Sequence, residues 1–464
     1  MDFREHRVTE LASKVRSREI SAVELTRAAL DRIDVTNDSI NAWVTVDGPR
    51  AMADAQSVDD RLVSGQGVGP LAGIPIGVKD LEDAAGFPTR YGSLLSSDKP
   101  AVGDSVLVAR LRAAGCVVLG KTTSPEYGHK GVTDSPLTGS TRNPWSIERT
   151  SGGSSGGSAA AIAAGMVPLA TGSDGGGSIR IPASLCGLSG LKTTQGRVPL
   201  GGPSAPGSGM LTVKGPMTQR IADTAFALDV CVGPHPTDAF SLPRSGSPWF
   251  EAANAPQLPA RVVYSPTMGF AKVDSDIAAA CEAAVGQLEA AGVEVIVMDD
   301  IWTDDPLMPW FVTWASLRAR AQGHLVDTPG WKKIDPTLRD QIEVGLTTSG
   351  LDIIGAIDAI HDLNLQLDRA FEQAPILLTP MCSGQTPRIG SDGTIDGEES
   401  AGWVSFSYGF NLTRNPAGSV RCGFTSDRMP IGLHVVGRQL ADVVVIQTMA
   451  ALEEVFETNE VAPI

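Results

Sequence analysis

Two serines stand in glycine-rich runs, Ser-Gly-Gly-Ser-Ser-Gly-Gly-Ser at 151–158 and Asp-Gly-Gly-Gly-Ser-Ile-Arg at 174–180. Glycine lets the backbone turn sharply and brings its N–H groups close to a small ligand. A serine set among such N–H groups is a candidate nucleophile beside its own oxyanion hole. A nucleophilic serine also needs a base. A lysine can fill that role only when neutral, and a free lysine titrates near about 10.4, so it must be desolvated. The apolar Ile74–Val78 run that leads into Lys79 could supply that burial, although Val-Lys79-Asp by itself reads as a surface lysine.

Two other motifs compete. Gly115-Cys-Val-Val-Leu-Gly-Lys121-Thr122 matches the phosphate-binding Walker pattern letter for letter. A phosphate loop should follow a strand and open a helix, whereas here a helix comes first and the middle residues are β-branched. The expectation is a helix-to-strand turn with a surface lysine. Gly152-Gly-Ser154-Ser-Gly156 fits Gly-x-Ser-x-Gly, the elbow of α/β-hydrolases. That elbow requires an apolar strand before it. Residues 143–151 are mostly polar, and only His235, His324, His361 and His434 could serve downstream as its base.

The elements that must position these residues alternate between helix and strand. Ser21-Ala-Val-Glu24 is a capping box for a helix through Leu25, Ala29 and Ile33. Leu71–Val78 reads as a buried strand, Asp104 caps a second helix, and Cys116–Leu119 is the next strand. Ala159–Ala164 is a short alanine-rich helix before a strand at Val167–Ala170. The alternation returns at 277–297, 363–379 and 431–436, and closes with a helix after Asp442. This pattern predicts an α/β fold with a largely parallel sheet. Irregular stretches at 201–209, 233–259 and 382–401 are expected as surface loops, the last long enough for an active-site lid.

The 464 residues carry 37 Lys plus Arg against 53 Asp plus Glu, a net charge of −16. That field disfavours nucleic acid and anionic membrane as partners. No apolar run is long enough to span a bilayer, and no leader-like stretch opens the sequence. Six scattered cysteines without a Cys-x-x-Cys pair suit reduced thiols in a cytoplasm, and no histidine spacing suggests a metal site.

Taken together, three segments resemble the amidase signature family of Ser-Ser-Lys hydrolases. They are Gly-Ile-Pro-Ile-Gly-Val-Lys79-Asp, Gly-Gly-Ser154-Ser-Gly-Gly-Ser-Ala-Ala-Ala and Asp174-Gly-Gly-Gly-Ser178-Ile-Arg180-Ile-Pro. Asn143-Pro-Trp145, Cys186-Gly-Leu-Ser-Gly-Leu-Lys192, Gly215-Pro-Met and Phe410-Asn-Leu-Thr-Arg-Asn-Pro-Ala extend the likeness over nearly the whole chain. The resemblance implies one domain over 1–464, a mixed sheet wrapped by helices, and hydrolysis of C–N bonds in amides without metal or cofactor. It makes Ser178 the nucleophile, Ser154 the bridging serine on a cis Gly153–Ser154 peptide, and Lys79 the base. Backbone N–H groups of Gly175, Gly176, Gly177 and Ser178 would hold the oxyanion, with Ser155, Asp174 and Arg180 as the supporting frame. Tyr127, Gly128, His129 and Ser173 are the candidate substrate contacts.

The implied partner is a small amide or carbamate, with esters also within the family's range and a homodimer left open. Trp310 and Trp314, four residues apart on a helix, read first as core and otherwise as a wall for an aromatic or bulky apolar substrate. Arg421 departs from the family pattern and reads as a local ion-pair partner. Three alternatives are a glutaminase subunit of a tRNA-dependent amidotransferase, a His-dependent α/β-hydrolase, and a non-catalytic binding protein on the same fold. Against the first, residues 126–134 lack the phenylalanine-methionine-glycine-serine character expected there.

Overall fold

The computed structural model describes residues 1–202, 208–209 and 211–464. The expected loop at 201–209 therefore falls largely outside the described residues. Eleven strands form the framework: β1 (Trp43–Val46), β2 (Pro75–Lys79), β3 (Val117–Thr122), β4 (Leu169–Asp174), β5 (Gly190–Lys192), β6 (Val213–Thr218), β7 (Arg261–Tyr264), β8 (Glu294–Val297), β9 (Ile376–Pro380), β10 (Ala417–Phe424) and β11 (Pro430–Gly437). One sheet has the order β1-β3-β2-β4-β6 and the other β8-β7-β9-β11-β10-β5. A bridge between Ser189 and Thr218 joins their inner edges, so the strands run on as one mixed sheet.

Parallel pairing is confined to the flanks, where β2 pairs with β3 and β4, and β7 with β8 and β9. The pairs between them, β4·β6, β5·β10, β10·β11 and β9·β11, are antiparallel. The sheet is thus mixed, with less parallel pairing than the helix–strand alternation suggests. The reason is that β10 and β11 follow each other directly as a hairpin, with no crossover helix between them.

Local chemistry accounts for most element boundaries. Ser21 and Glu24 make the reciprocal capping box, and the helix Ala22–Ile40 ends at Asn41 in the left-handed region at φ 57°. The helix Val106–Ala113 is capped by Ser105, whereas the expected Asp104 accepts from Ala85 N–H at 2.7 Å. Within 233–259 lies a short helix, Trp249–Ala253, and Trp249 is fully buried. The 382–401 segment carries a small hairpin, Thr394–Ile395 with Glu398–Glu399, and packs on Trp403.

Because β2 and β4 are parallel neighbours, their C-terminal ends emerge side by side. Lys79 ends the first and Ser173-Asp174 the second, so the register carries both chemistry-bearing segments to one sheet edge. The helix Gly156–Ala163 lies across these strands with every residue buried. Its small side chains permit that close approach. A Cβ on Gly157 would come within 2.3 Å of Thr123 Oγ1 and 2.4 Å of Thr123 N. Gly157→Ala should therefore lower stability by about 1–3 kcal/mol through overpacking and displace Ser154 at the head of the helix. Chemical denaturation beside an activity assay tests this, with loss of both expected.

Candidate active site

Lys79 is completely buried, as its β-strand approach demands. Its amine Nζ lies 2.8 Å from Ser154 Oγ, 2.8 Å from Ser155 Oγ and 2.9 Å from Ser173 Oγ. Its backbone N–H donates to Thr171 Oγ1 at 2.9 Å, fixing β2 against β4. Burial pulls the lysine down to about 7, against the opposing pull of Glu82 and Asp174. No carboxylate lies within 4 Å of the amine among the described residues.

The hydroxyls around Lys79 are already oriented. Ser155 Oγ donates to Ser173 O at 3.3 Å and accepts from Ser173 N–H at 3.2 Å. Its remaining role toward the amine is as acceptor. A neutral amine has two N–H donors and one lone pair. Nζ lies within donor distance of all three hydroxyls, and loss of a proton leaves a lone pair for a hydroxyl other than that of Ser155. The Gly153–Ser154 peptide is cis.

Ser178 opens on the same cavity as Ser154 and is half-buried. Its carbonyl accepts from Ser155 N–H at 3.2 Å, which ties the two glycine-rich runs together. Its hydroxyl makes no hydrogen bond among the described residues, so the Ser154–Ser178 link is not closed here.

Asp174 shapes the loop between β4 and Ser178. Its carboxylate accepts from Gly177 N–H at 2.7 Å, from Ile179 N–H at 3.3 Å, and from Arg180 Nε and Nη2 at 2.9 Å each. Burial pushes its titration up, but the bidentate Arg180 guanidinium holds it well below the usual carboxylate range. Asn411 closes the frame, donating to Asp174 Oδ1 at 3.0 Å and accepting from Arg180 Nη2 at 2.7 Å.

This geometry corrects the expected oxyanion hole. The Gly177 N–H is spent on Asp174, which leaves Gly175, Gly176 and Ser178 as the free backbone donors among the described residues. The loop carbonyls are tied down by side chains. Trp310 Nε1 donates to Gly175 O at 2.8 Å, and Ser407 Oγ donates to Gly176 O at 2.6 Å. Since N–H and C=O oppose each other in a trans peptide, anchoring Gly175 O turns Gly176 N–H away from Trp310.

The cavity above these groups has a volume of about 310 Å³ and is walled by Leu81, Tyr91, Tyr127, Gly128 and Trp314. Tyr91 and Tyr127 stack with centroids 5.6 Å apart. Gly128 has φ +71°, and a Cβ there would meet Leu81 at 2.6 Å and Ser154 Oγ at 3.2 Å, so the position requires glycine. Ser173 reaches the cavity too, but its hydroxyl is bonded to Lys79. His129 does not belong here. It is buried with Nδ1 on Glu126 O and Nε2 on Thr337 Oγ1, each at 2.7 Å, where it pins the start of the helix Pro336–Thr347.

Several other expectations change. Trp314 lines the cavity, while Trp310, stacked on it at 5.3 Å, supports the glycine loop. Lys121 is fully buried, donating to Glu82 O at 2.7 Å and lying 3.5 Å from Asp80, so it is no surface lysine. Arg421 forms no ion pair among the described residues; it lies over Trp145 and Phe424. The 382–401 segment contributes no residue to the cavity lining. Nor does any histidine. His434 is buried behind the frame, 3.0 Å from Arg180 Nη1, and burial with that positive neighbour holds it well below its usual range. Sequence reasoning missed Ser407, Arg318 and Gln322 altogether, because nothing local to them signals the loop or cavity they meet.

The family model for Amidase matches residues 24–446. The chain belongs to the amidase signature family. Among its relatives, an acylamidase from Rhodococcus erythropolis is 35% identical over 458 residues, covering 96% of this chain and 94% of that protein. A glutamyl-tRNA(Gln) amidotransferase subunit from Chloroflexus aggregans is 33% identical over 477 residues, with 96% and 95% covered. The crystal structure of a bacterial aryl acylamidase of the same family superposes with a TM-score of 0.90 at 27% identity, covering 98% of each chain. An amidase signature enzyme acting on C–N bonds is thereby established.

The Asp174–Arg180 pair yields a direct test of the frame. Asp174→Ala leaves a fully buried guanidinium uncompensated and should cost about 3–5 kcal/mol of stability, read as a lower denaturation midpoint.

Proposed function

We propose that this protein hydrolyses amides through an acyl-enzyme on Ser178, with Ser154 relaying the proton to Lys79. The observation that carries the reading is the buried Lys79 amine, 2.8 Å from Ser154 Oγ and brought to about 7 by desolvation. A base with that poise accepts a proton near neutral pH without being locked as an ammonium.

In the first half-reaction Ser178 Oγ attacks the amide carbonyl carbon. Its proton passes to Ser154 Oγ as the Ser154 proton passes to Lys79 Nζ. Substrate binding closes the Ser154–Ser178 hydrogen bond for this step. The carbonyl oxygen becomes an oxyanion, received by the free N–H groups of the Gly175–Ser178 loop; one such donor is commonly worth about 10²–10³ in rate. The proton then returns through Ser154 to the leaving nitrogen, the C–N bond breaks, and an amine departs. Water attacks the Ser178 ester in the second half-reaction, using the same relay, and releases the acid.

The aromatic walls at Tyr91, Tyr127 and Trp314 favour an aryl or other bulky apolar amide. Carbamates and esters fall within the same chemistry, since each presents a carbonyl carbon with a leaving group. A second reading, the glutaminase of a tRNA-dependent amidotransferase, draws on the 33% identity to the Chloroflexus protein. Glutamine in the assay panel separates the two.

The panel is p-nitroacetanilide, an aryl carbamate, an aryl ester and glutamine. Ser178→Ala and Lys79→Ala should each abolish turnover of the anilide, and wild type alone should show an acyl group on the Ser178 peptide by mass spectrometry. Anilide turnover that persists in Ser178→Ala overturns the assignment. Lys79 acts as the neutral amine, so kcat/KM should rise with pH through an apparent pKa of about 7 and fall away on the acid side. A pH–rate profile flat from acid to neutral pH would contradict that role.

A further inference from the structure

One cavity residue is not used by the mechanism above. Arg318, on the helix Leu307–Gln322, is only 6% exposed yet lines the space over Ser154 and Ser178. Its Nη1 donates to Tyr127 O at 2.9 Å. Nε is sealed from solvent without a partner, and Nη2 makes no hydrogen bond among the described residues. The guanidinium lies over the Trp314 ring at 4.4 Å, a contact that satisfies one face and no N–H. Burial lowers it to about 10, so it stays charged at neutral pH.

No acidic side chain pairs with Arg318 among the described residues, and residues 203–207 and 210 include no Asp or Glu. The other charges of the cavity cancel: Glu82 lies 2.6 Å from Lys214, and Lys79 acts as a neutral amine. One turn further along the helix, Gln322 also lines the cavity, with its Oε1 buried and unpartnered. A buried cation with one hydrogen bond is expensive unless something completes it. Among the described residues no carboxylate does so, Gln322 Oε1 makes no bond to it, and the guanidinium lines the cavity.

We propose that Arg318 is a specificity-determining residue that seats a carboxylate on the substrate, so that the preferred amides carry an anionic group as well as an apolar body. The proposal rests on the reading of Ser178 as nucleophile, since it is the same cavity that the scissile amide enters. A planar guanidinium suits a carboxylate because it can offer two parallel N–H donors. The Trp314 face beneath it keeps the pair away from water.

Matched substrates test it: succinyl and glutaryl p-nitroanilides against their methyl esters, and 4-acetamidobenzoate against its methyl ester. In wild type at least one carboxylate should exceed its ester in kcat/KM by about 10- to 100-fold, the range of a hydrogen bond to a charged group. Arg318→Gln should erase that preference by raising KM for the acid, leaving the esters within about threefold. Arg318→Lys should retain part of it, and guards against a glutamine variant that fails to fold. A second readout needs no turnover. Binding of 4-acetamidobenzoate to Ser178→Ala, followed by tryptophan fluorescence, should be lost in the Ser178→Ala, Arg318→Gln double variant. Equal losses for acid and ester in Arg318→Gln, or a wild-type preference for the esters throughout, would overturn the proposal and leave Arg318 as a brace for Tyr127. Continued turnover by Ser178→Ala would instead sink the catalytic reading, and the carboxylate binding arm would still give its own answer.

Discussion

A lysine shut off from water, with hydroxyls in place of a carboxylate around its amine, is the constraint on which the rest of this structure turns. An ammonium in that setting is desolvated with no carboxylate within 4 Å among the described residues, so burial lowers its titration to about 7 despite the pull of Glu82 and Asp174. Satisfying that amine takes three hydroxyls from two separate runs of chain. Ser154 and Ser155 stand at the head of an all-buried alanine helix, and Ser173 stands at the end of a strand parallel to the lysine's own. The parallel register of β2 and β4 is therefore a requirement of the chemistry, because an antiparallel neighbour would carry Ser173 to the far edge of the sheet.

The second organising group is Asp174. It collects N–H groups from the loop beyond it and is matched by Arg180, so a short chain segment is folded around one carboxylate. The loop is held from outside by Trp310 and Ser407, which bond its carbonyls. Charge inside and hydrogen bonds outside give a glycine-rich segment the rigidity that its residues lack by themselves. The same arrangement removes Gly177 from the set of free donors.

Much of the site was legible in the sequence because its parts are compact runs. Lys79 follows an apolar strand, one serine–glycine run sits where a helix begins and the other where a strand ends, and the resemblance to the amidase signature family joins the three segments into one site. What pattern could not give is partnership over long distances. His129 is adjacent in sequence to Tyr127 and Gly128, yet it turns to Thr337, 208 residues away, and leaves the cavity. Arg318 reaches Tyr127 across 191 residues, with no local mark that its helix faces the site. The sheet was overestimated as parallel for a related reason: alternation of elements identifies βα units, whereas the antiparallel centre depends on a hairpin late in the chain. Lys121 reads as a surface residue by type, and only the backbone carbonyl of Glu82 and the carboxylate of Asp80 explain its burial.

The helix Leu307–Gln322 is a separate run of chain from those that carry Lys79, Ser154 and Ser178, and one of its faces supplies Trp314, Arg318, Ala321 and Gln322 to the cavity. Part of the cavity wall and the Lys79–Ser154 contact thus come from different pieces of chain. Substitutions along that face can alter which molecules enter while the proton path stays intact. Changes confined to Trp314, Arg318, Ala321 and Gln322 would reshape the cavity from one wall and leave the Lys79–Ser154 contact untouched.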